Sequence, residues 1–167
     1  MEKKIVILGA GESGVGAAIL AEKKGLDIFV SDSGKIGKEN KKILSNNEIK
    51  WEEGGHSLQK ILQCDEVIKS PGIPDSTDVI QQLKKEGISV ISEVEFAFRD
   101  TKAKVVAITG SNGKTTTTLL VGHILKKAGL DVLVAGNIGI GFSKEIAKRD
   151  YDYIVLELSS FQLDGIQ

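Results

Sequence analysis

The chain predicts an α/β fold built on parallel sheets, and three features carry that prediction. Short β-branched runs alternate with longer amphipathic stretches along its length, the pattern of strands joined by crossover helices. A G-x-G-x-x-G turn, Gly9-Ala10-Gly11-Glu12-Ser13-Gly14, directly follows the first apolar run. A second glycine-rich turn, Gly110-Ser111-Asn112-Gly113, follows the run Val105–Ile108 and leads into Lys114-Thr115. Two such turns, each after its own strand, argue for two sheets. The expected architecture is a Rossmann-like parallel-sheet N-terminal domain over residues 1–102, followed by a partial P-loop α/β domain over residues 103–167.

Taken in order, strands are expected over 4–8, 28–31, 49–52, 66–69 and 90–91, then over 105–109, 132–135 and 153–157. Helices are expected over 14–24, 39–45, 58–62, 78–86, 93–99, 115–127 and 142–147. Gly25, Gly87 and Gly129 stand where helices should stop, because glycine readily takes the left-handed conformation of a C-terminal cap. The polar stretch Arg99-Asp100-Thr101-Lys102 is the natural boundary. Upstream lies a complete five-strand unit of typical domain size. Downstream, three strands and two helices are few to cover both faces of a sheet, so the chain is expected to be a fragment.

Bulk properties exclude several classes. Of 167 residues, 41% are apolar and 27% charged, an ordinary soluble balance, and the net charge is −1. No global field recruits nucleic acid or anionic lipid. No run approaches membrane-spanning length, and the first strand is too short for a signal sequence. Cys64 is the sole cysteine, which fits a reducing cytoplasm. His56 and His123 lack partners at metal-ligand spacing, so no zinc site is expected.

The chemistry concentrates at four strand ends. A glycine turn between strand and helix directs backbone N–H groups at an anion. Lys114 would add a point charge for outer phosphates, and the Thr115 hydroxyl can ligate Mg²⁺. Only two residues separate Gly110 from Gly113, where the general P-loop has four. At the first turn, Asp32 lies about twenty residues on, where a ribose-binding acid sits in a dinucleotide fold. The motif fits a nucleotide or its diphosphate without naming one. Ser70-Pro71-Gly72-Ile73-Pro74 reads equally as a ligand rim or a rigid turn. Asn137 could donate to a phosphate or simply mark a turn. Glu157 ends a buried-looking strand, where a carboxylate needs a cation, either Mg²⁺ or a lysine. Ser159, Ser160 and Gln162 read as substrate contacts or as a helix N-cap.

The segments Thr109–Thr115, Gly136-Asn137-Ile138-Gly139 and Leu156-Glu157-Leu158-Ser159-Ser160-Phe161-Gln162-Leu163 together resemble the Mur ligase family. Ser70–Ile73 and Ser92-Glu93-Val94-Glu95 make the chain most similar to the branch that joins D-glutamate to UDP-N-acetylmuramoyl-L-alanine in peptidoglycan synthesis. The shortened P-loop is the form this family uses. The resemblance implies that the first domain binds the UDP part of the nucleotide sugar through Gly11, Glu12, Ser13, Asp32, Ser33, Ser70 and Gly72. It implies MgATP at Gly110, Ser111, Asn112, Gly113, Lys114, Thr115, Thr116 and Thr117, with Thr115 and Glu157 on the metal. Lys114 and Glu157 become the catalytic pair, and Asn137, Ser159 and Gln162 meet the muramoyl substrate. Several relatives place an arginine after the acid, where this chain has Ser33-Gly34-Lys35; lysine lacks the planar fork of arginine. The family also uses a histidine metal ligand, a carbamylated lysine and a C-terminal domain for the amino acid, all outside these residues. A cytoplasmic monomer that does not turn over alone is the resulting expectation, with no nucleic-acid partner and no membrane insertion.

Two rivals use fewer of these features. An NAD-binding regulatory module needs only Gly9–Gly14 and Asp32. A nucleotide switch needs only the second loop. Other amino-acid-adding Mur ligases and folylpolyglutamate synthase share the ATP loop, and Ser159-Ser160-Phe161-Gln162 favours D-glutamate.

Overall fold

The computed structural model describes residues 3–163. In chain order its elements are β1 (Lys4–Leu8), α1 (Glu12–Lys23), β2 (Asp27–Asp32), α2 (Lys38–Asn46), β3 (Lys50–Glu53), α3 (Leu58–Ile61), β4 (Glu66–Lys69), α4 (Asp78–Lys85), β5 (Ser89–Ser92) and α5 (Glu93–Phe98). There follow β6 (Lys104–Ile108), α6 (Lys114–Lys127), β7 (Val132–Gly136), α7 (Phe142–Ile146), β8 (Tyr153–Glu157) and α8 (Ser160–Leu163). The strands form two parallel sheets, ordered β3-β2-β1-β4-β5 and β6-β8-β7. Each expected strand and helix is present within a few residues of its expected span. Helices α1, α4 and α6 each stop two residues before their glycine. The short α8 is an additional element.

Chemistry gathers at the carboxyl ends because every ladder is parallel and in register. Leu8 pairs with Ser31 on one side and Lys69 on the other, so the loops after β1, β2 and β4 rise from one rim. In the second sheet Glu157 pairs with both Ile108 and Gly136, which brings the loops after β6, β7 and β8 together. The central strands are apolar and buried, as in β1 (Ile5, Ile7, Leu8) and β8 (Ile154, Val155, Leu156), as both-face coverage requires. Helix α6 by contrast exposes Leu119, Leu120 and Ile124.

One hydrophobic cluster runs through both sheets, joining Val15, Ala18, Val94 and Phe96 to Leu133, Phe142, Ile146 and Leu156. Its joint is α7, which packs on α1 and α5. Small residues on α1 permit that approach: a Cβ built on Gly16 would lie 3.1 Å from Lys144. Glu93, 4% exposed, accepts the Ser143 N–H at 2.7 Å across the joint. Lys23 Nζ donates to the Ala147 carbonyl at 2.9 Å.

Burial pushes the Glu93 carboxyl up and nearby Glu12 adds to it, outweighing the bonds from Ser143. The folded chain therefore holds this proton more tightly than the unfolded chain. Glu93 should stabilise fully below the ordinary glutamate range, about 4.3, and progressively less as pH rises towards the raised folded value. Glu93→Gln keeps an acceptor for Ser143 and is expected to flatten that decline, read by denaturant unfolding from pH 4 to 8. A decline unchanged in the variant would assign it to another group. Glu93→Ala, which orphans a buried N–H, should cost about 2 kcal/mol.

Candidate nucleotide and phosphate sites

The first site is built around Gly9–Gly14. Gly9 N–H donates to the Ser31 carbonyl at 2.9 Å, continuing the β1–β2 ladder into the loop. Asp32 then braces the turn: Oδ2 accepts Ala10 N–H at 2.6 Å and Oδ1 accepts Gly34 N–H at 2.8 Å. The expected ribose acid thus carries two backbone bonds. Asn40 of α2 donates to the Ala10 carbonyl at 2.8 Å, a contact that nothing in its sequence context signals. Ser70 sits behind the loop, its hydroxyl 3.4 Å from the Gly9 carbonyl. Gly11 caps α1 without a side-chain bond. Gly11 and Glu12 are exposed and Ser13 half-buried, so the helix N-terminus stays open to an anion. Ser33 and Gly72 line a single cavity on the same rim.

Gly14 is where the loop crosses itself. A Cβ there would stand 1.9 Å from the Gly9 carbonyl oxygen, a backbone atom with no room to swing away. Gly14→Ala is expected to lower stability by about 3 kcal/mol. A denaturation midpoint equal to that of the parent chain would show that the crossing relaxes freely.

The second site rises from the β6–β8–β7 rim. Gly113, at φ +73, is the N-cap of α6, a conformation that favours glycine. Lys114 Nζ donates to the Gly110 carbonyl at 2.8 Å and closes the loop on itself. Thr115, Thr116 and Thr117 are exposed at the start of α6. Beneath them Glu157 is 2% exposed. Its Oε1 accepts Asn137 Nδ2 at 3.4 Å, and its Oε2 is buried with no partner among the described residues. Asn137 also anchors its own backbone, N–H to the Glu157 carbonyl, at 3.0 Å. Asn137 therefore steadies the carboxylate.

An orphaned buried carboxylate oxygen is costly, and a hard cation would satisfy it. Among the described residues, no group of three His, Cys, Asp or Glu side chains could hold a metal without other donors. Any Mg²⁺ held here would need hydroxyl and phosphate oxygens beside Glu157. Thr118, four residues after Lys114 and one beyond the expected ATP-loop residues, carries a second buried oxygen, Oγ1, with no partner among the described residues.

Ser159 and Gln162 are engaged with each other. Gln162 Oε1 accepts the Ser159 N–H at 2.9 Å and its hydroxyl at 3.0 Å, while Ser159 Oγ lies 3.3 Å from Gln162 N. That is a reciprocal cap of α8, legible as S-x-x-Q. The loop after β7 also reaches the first site: a Cβ on Gly141 would lie 3.7 Å from Glu12 Cγ. The two rims adjoin at the N-terminus of α1.

Comparison with known families decides the kinship. The family described as MurD N-terminal domain matches residues 4–79, and the Mur ligase middle domain matches residues 108–167. The chain belongs to the Mur ligase family. Among curated Mur ligases it is 55% identical, over 100% of its own length, to the UDP-N-acetylmuramoylalanine--D-glutamate ligase of Christiangramia forsetii. It is 56% identical over 98% of its length to the Bacteroides fragilis ligase of the same name. It spans 38% and 37% of those two proteins. A solved pseudomurein peptide ligase type C from Methanothermus fervidus shares the fold at TM-score 0.56 and 31% identity. That match covers 95% of this chain and 33% of the other. The resemblance first carried by the shortened P-loop and the Leu156–Leu163 segment is borne out at the level of the family.

Proposed function

We propose that this chain carries the two nucleotide sites of a ligase that joins D-glutamate to UDP-N-acetylmuramoyl-L-alanine at the expense of ATP, in peptidoglycan precursor synthesis. Whole-chain identity above one half to ligases of that name is the observation that carries the reading. The open α1 N-terminus, Asp32 and the Ser33–Gly72 rim suit the UDP-sugar, with Gly11, Glu12, Ser13 and Ser70 forming its phosphate side. The Gly110–Thr117 loop suits ATP, with Lys114 on the outer phosphates. The orphaned Glu157 oxygen and the Thr115 hydroxyl suit Mg²⁺.

MgATP would supply a phosphoryl group that turns a poor acyl donor, the alanyl carboxylate, into a good one. What the chain contributes is positioning and charge. Lys114 offsets negative charge on the phosphates, Asn137 holds the Glu157 carboxylate in place, and the cap formed by Ser159 and Gln162 fixes the turn beyond it. The muramoyl part would lie where the two rims adjoin, beside Glu12 and the 137–141 loop. No helix among the described residues is long and apolar enough to cross a membrane.

The test is calorimetric titration with UDP-N-acetylmuramoyl-L-alanine and with MgATP, using NAD as the control. Binding of the nucleotide sugar and of MgATP, without NAD, is the expected result. NAD binding alone would overturn the reading in favour of a dinucleotide module.

A further inference from the structure

Helix α7 begins without a cap of its own. Gly141, the residue before it, offers no side-chain acceptor to the first turn, whose N–H groups have no partner inside the helix. One of them, Ser143 N–H, donates instead to Glu93 Oε1 at 2.7 Å, across the joint from α5. A second contact runs the other way: Ser143 Oγ lies 3.4 Å from the Glu93 carbonyl oxygen. Glu93 has no such duty in its own helix, because α5 is capped by Ser92, whose hydroxyl accepts the Glu95 N–H at 3.0 Å. An acid in the first turn of a helix ordinarily stands in water beside the dipole. This one is buried, at the cost that burial of a carboxyl carries, and serves the start of another helix.

What this bond fixes lies a few residues upstream. Ser143 follows Phe142, which is fully buried, and Gly141, whose carbonyl accepts the Glu145 N–H at 3.2 Å. Before them the Gly136 N–H donates to the Ile140 carbonyl at 2.9 Å, so residues 136–140 form a closed turn that moves with the start of α7. Asn137 sits in that turn, its N–H on the Glu157 carbonyl at 3.0 Å and its Nδ2 on Glu157 Oε1 at 3.4 Å. The second of these is longer than the usual range for such a bond, so a small shift of the turn breaks it. A continuous series of contacts therefore runs from Glu93 through Ser143 and the turn to Asn137 and Glu157.

We propose that Glu93 is a positioning residue for the second rim: by holding the start of α7 it sets the 137–141 loop, and through Asn137 the Glu157 carboxylate. This rests on the reading of that rim as the MgATP site and adds to it a residue from the far side of the joint. Its consequence is specific. Loss of the Glu93 acceptor should impair the part of ATP binding that depends on Mg²⁺ and spare the part that does not, because the glycine turn and Lys114 lie outside the series.

The experiment is calorimetric titration of the intact chain with ATP, with and without Mg²⁺, well below the thermal midpoint of each variant. Glu93→Ala is expected to weaken MgATP binding by about tenfold, the scale of one hydrogen bond, and to leave Mg²⁺-free ATP within about twofold. Glu93→Met fills the same space without an acceptor and should show the same loss if the alanine variant does not fold. Glu93→Gln keeps an acceptor for Ser143 and should recover MgATP affinity to within about threefold. Asn137→Ala should reproduce the loss, and adding it to Glu93→Met should weaken binding no further, because residues acting in series share one effect. A purely structural Glu93 would lower the midpoint of unfolding and leave the gap between ATP and MgATP intact. A folded Glu93→Met chain with the parental gap, additive losses in the double variant, or no recovery in a folded Glu93→Gln chain overturns the assignment while leaving the MgATP reading in place. A parent chain that fails to bind ATP, or binds it without regard to Mg²⁺, overturns both.

Discussion

Lys114→Ala is expected to weaken MgATP binding by at least 100-fold while leaving the fold and UDP-sugar binding nearly untouched. The Lys114 ammonium donates to the Gly110 carbonyl across the loop, in an exposed setting. A hydrogen bond of that kind contributes about 1 kcal/mol to folding. Against a polyphosphate the same ammonium makes charge-assisted bonds, roughly twice as strong as neutral ones, and 100-fold corresponds to about 2.7 kcal/mol. The split between stability and affinity is therefore the diagnostic feature. The site proposed for the UDP-sugar rises from the other sheet, so its affinity serves as the internal control. A folded Lys114→Ala chain that binds MgATP as well as the parent would remove the second loop from the ATP site.

The fold was legible because local and global signals agree. Period, glycine stops and strand-end turns all require the same parallel sheets, and they place every strand from β1 to β8. The relations between the sheets were not legible. Glu93 reads as the first residue of a helix, and nothing in its neighbourhood says that it will meet Ser143 fifty residues later. The same holds for the Ser31 hydroxyl, which donates to Glu52 and lies 2.7 Å from His56 Nδ1, each of the three on a different strand or loop. Such contacts depend on register and on the small side chains of α1, which a single sequence does not display as distances. Ser159 and Gln162 are the opposite case. Their spacing is a local capping signature, and their mutual bonds form that cap. Asn137 was legible as a polar residue at a strand end, but its partner Glu157 follows from the β7–β8 register.

Glu157→Gln should move stability and metal response in opposite directions. In the parent, Glu157 Oε2 is buried without a partner among the described residues, and Oε1 has one long bond, 3.4 Å, from Asn137. A buried carboxylate so poorly paired costs folding free energy. The amide keeps an acceptor for Asn137 and exchanges an orphaned charged oxygen for a neutral group. The variant should therefore be more stable without metal, by about 1 kcal/mol. The same exchange removes the negative charge that Glu157 offers to a cation at this rim. Mg²⁺ should then no longer raise the thermal midpoint in the presence of ATP, and ATP affinity should become nearly independent of Mg²⁺. Retaining such a residue against folding stability is the expected mark of a functional position. Melting curves of parent and variant, with ATP and with or without Mg²⁺, decide the matter. A variant that is less stable without metal, or that keeps the full Mg²⁺ response, would make Glu157 a structural anchor for the 136–141 loop and send the metal elsewhere. The two effects come from one oxygen atom, so finding only one of them would also break the argument.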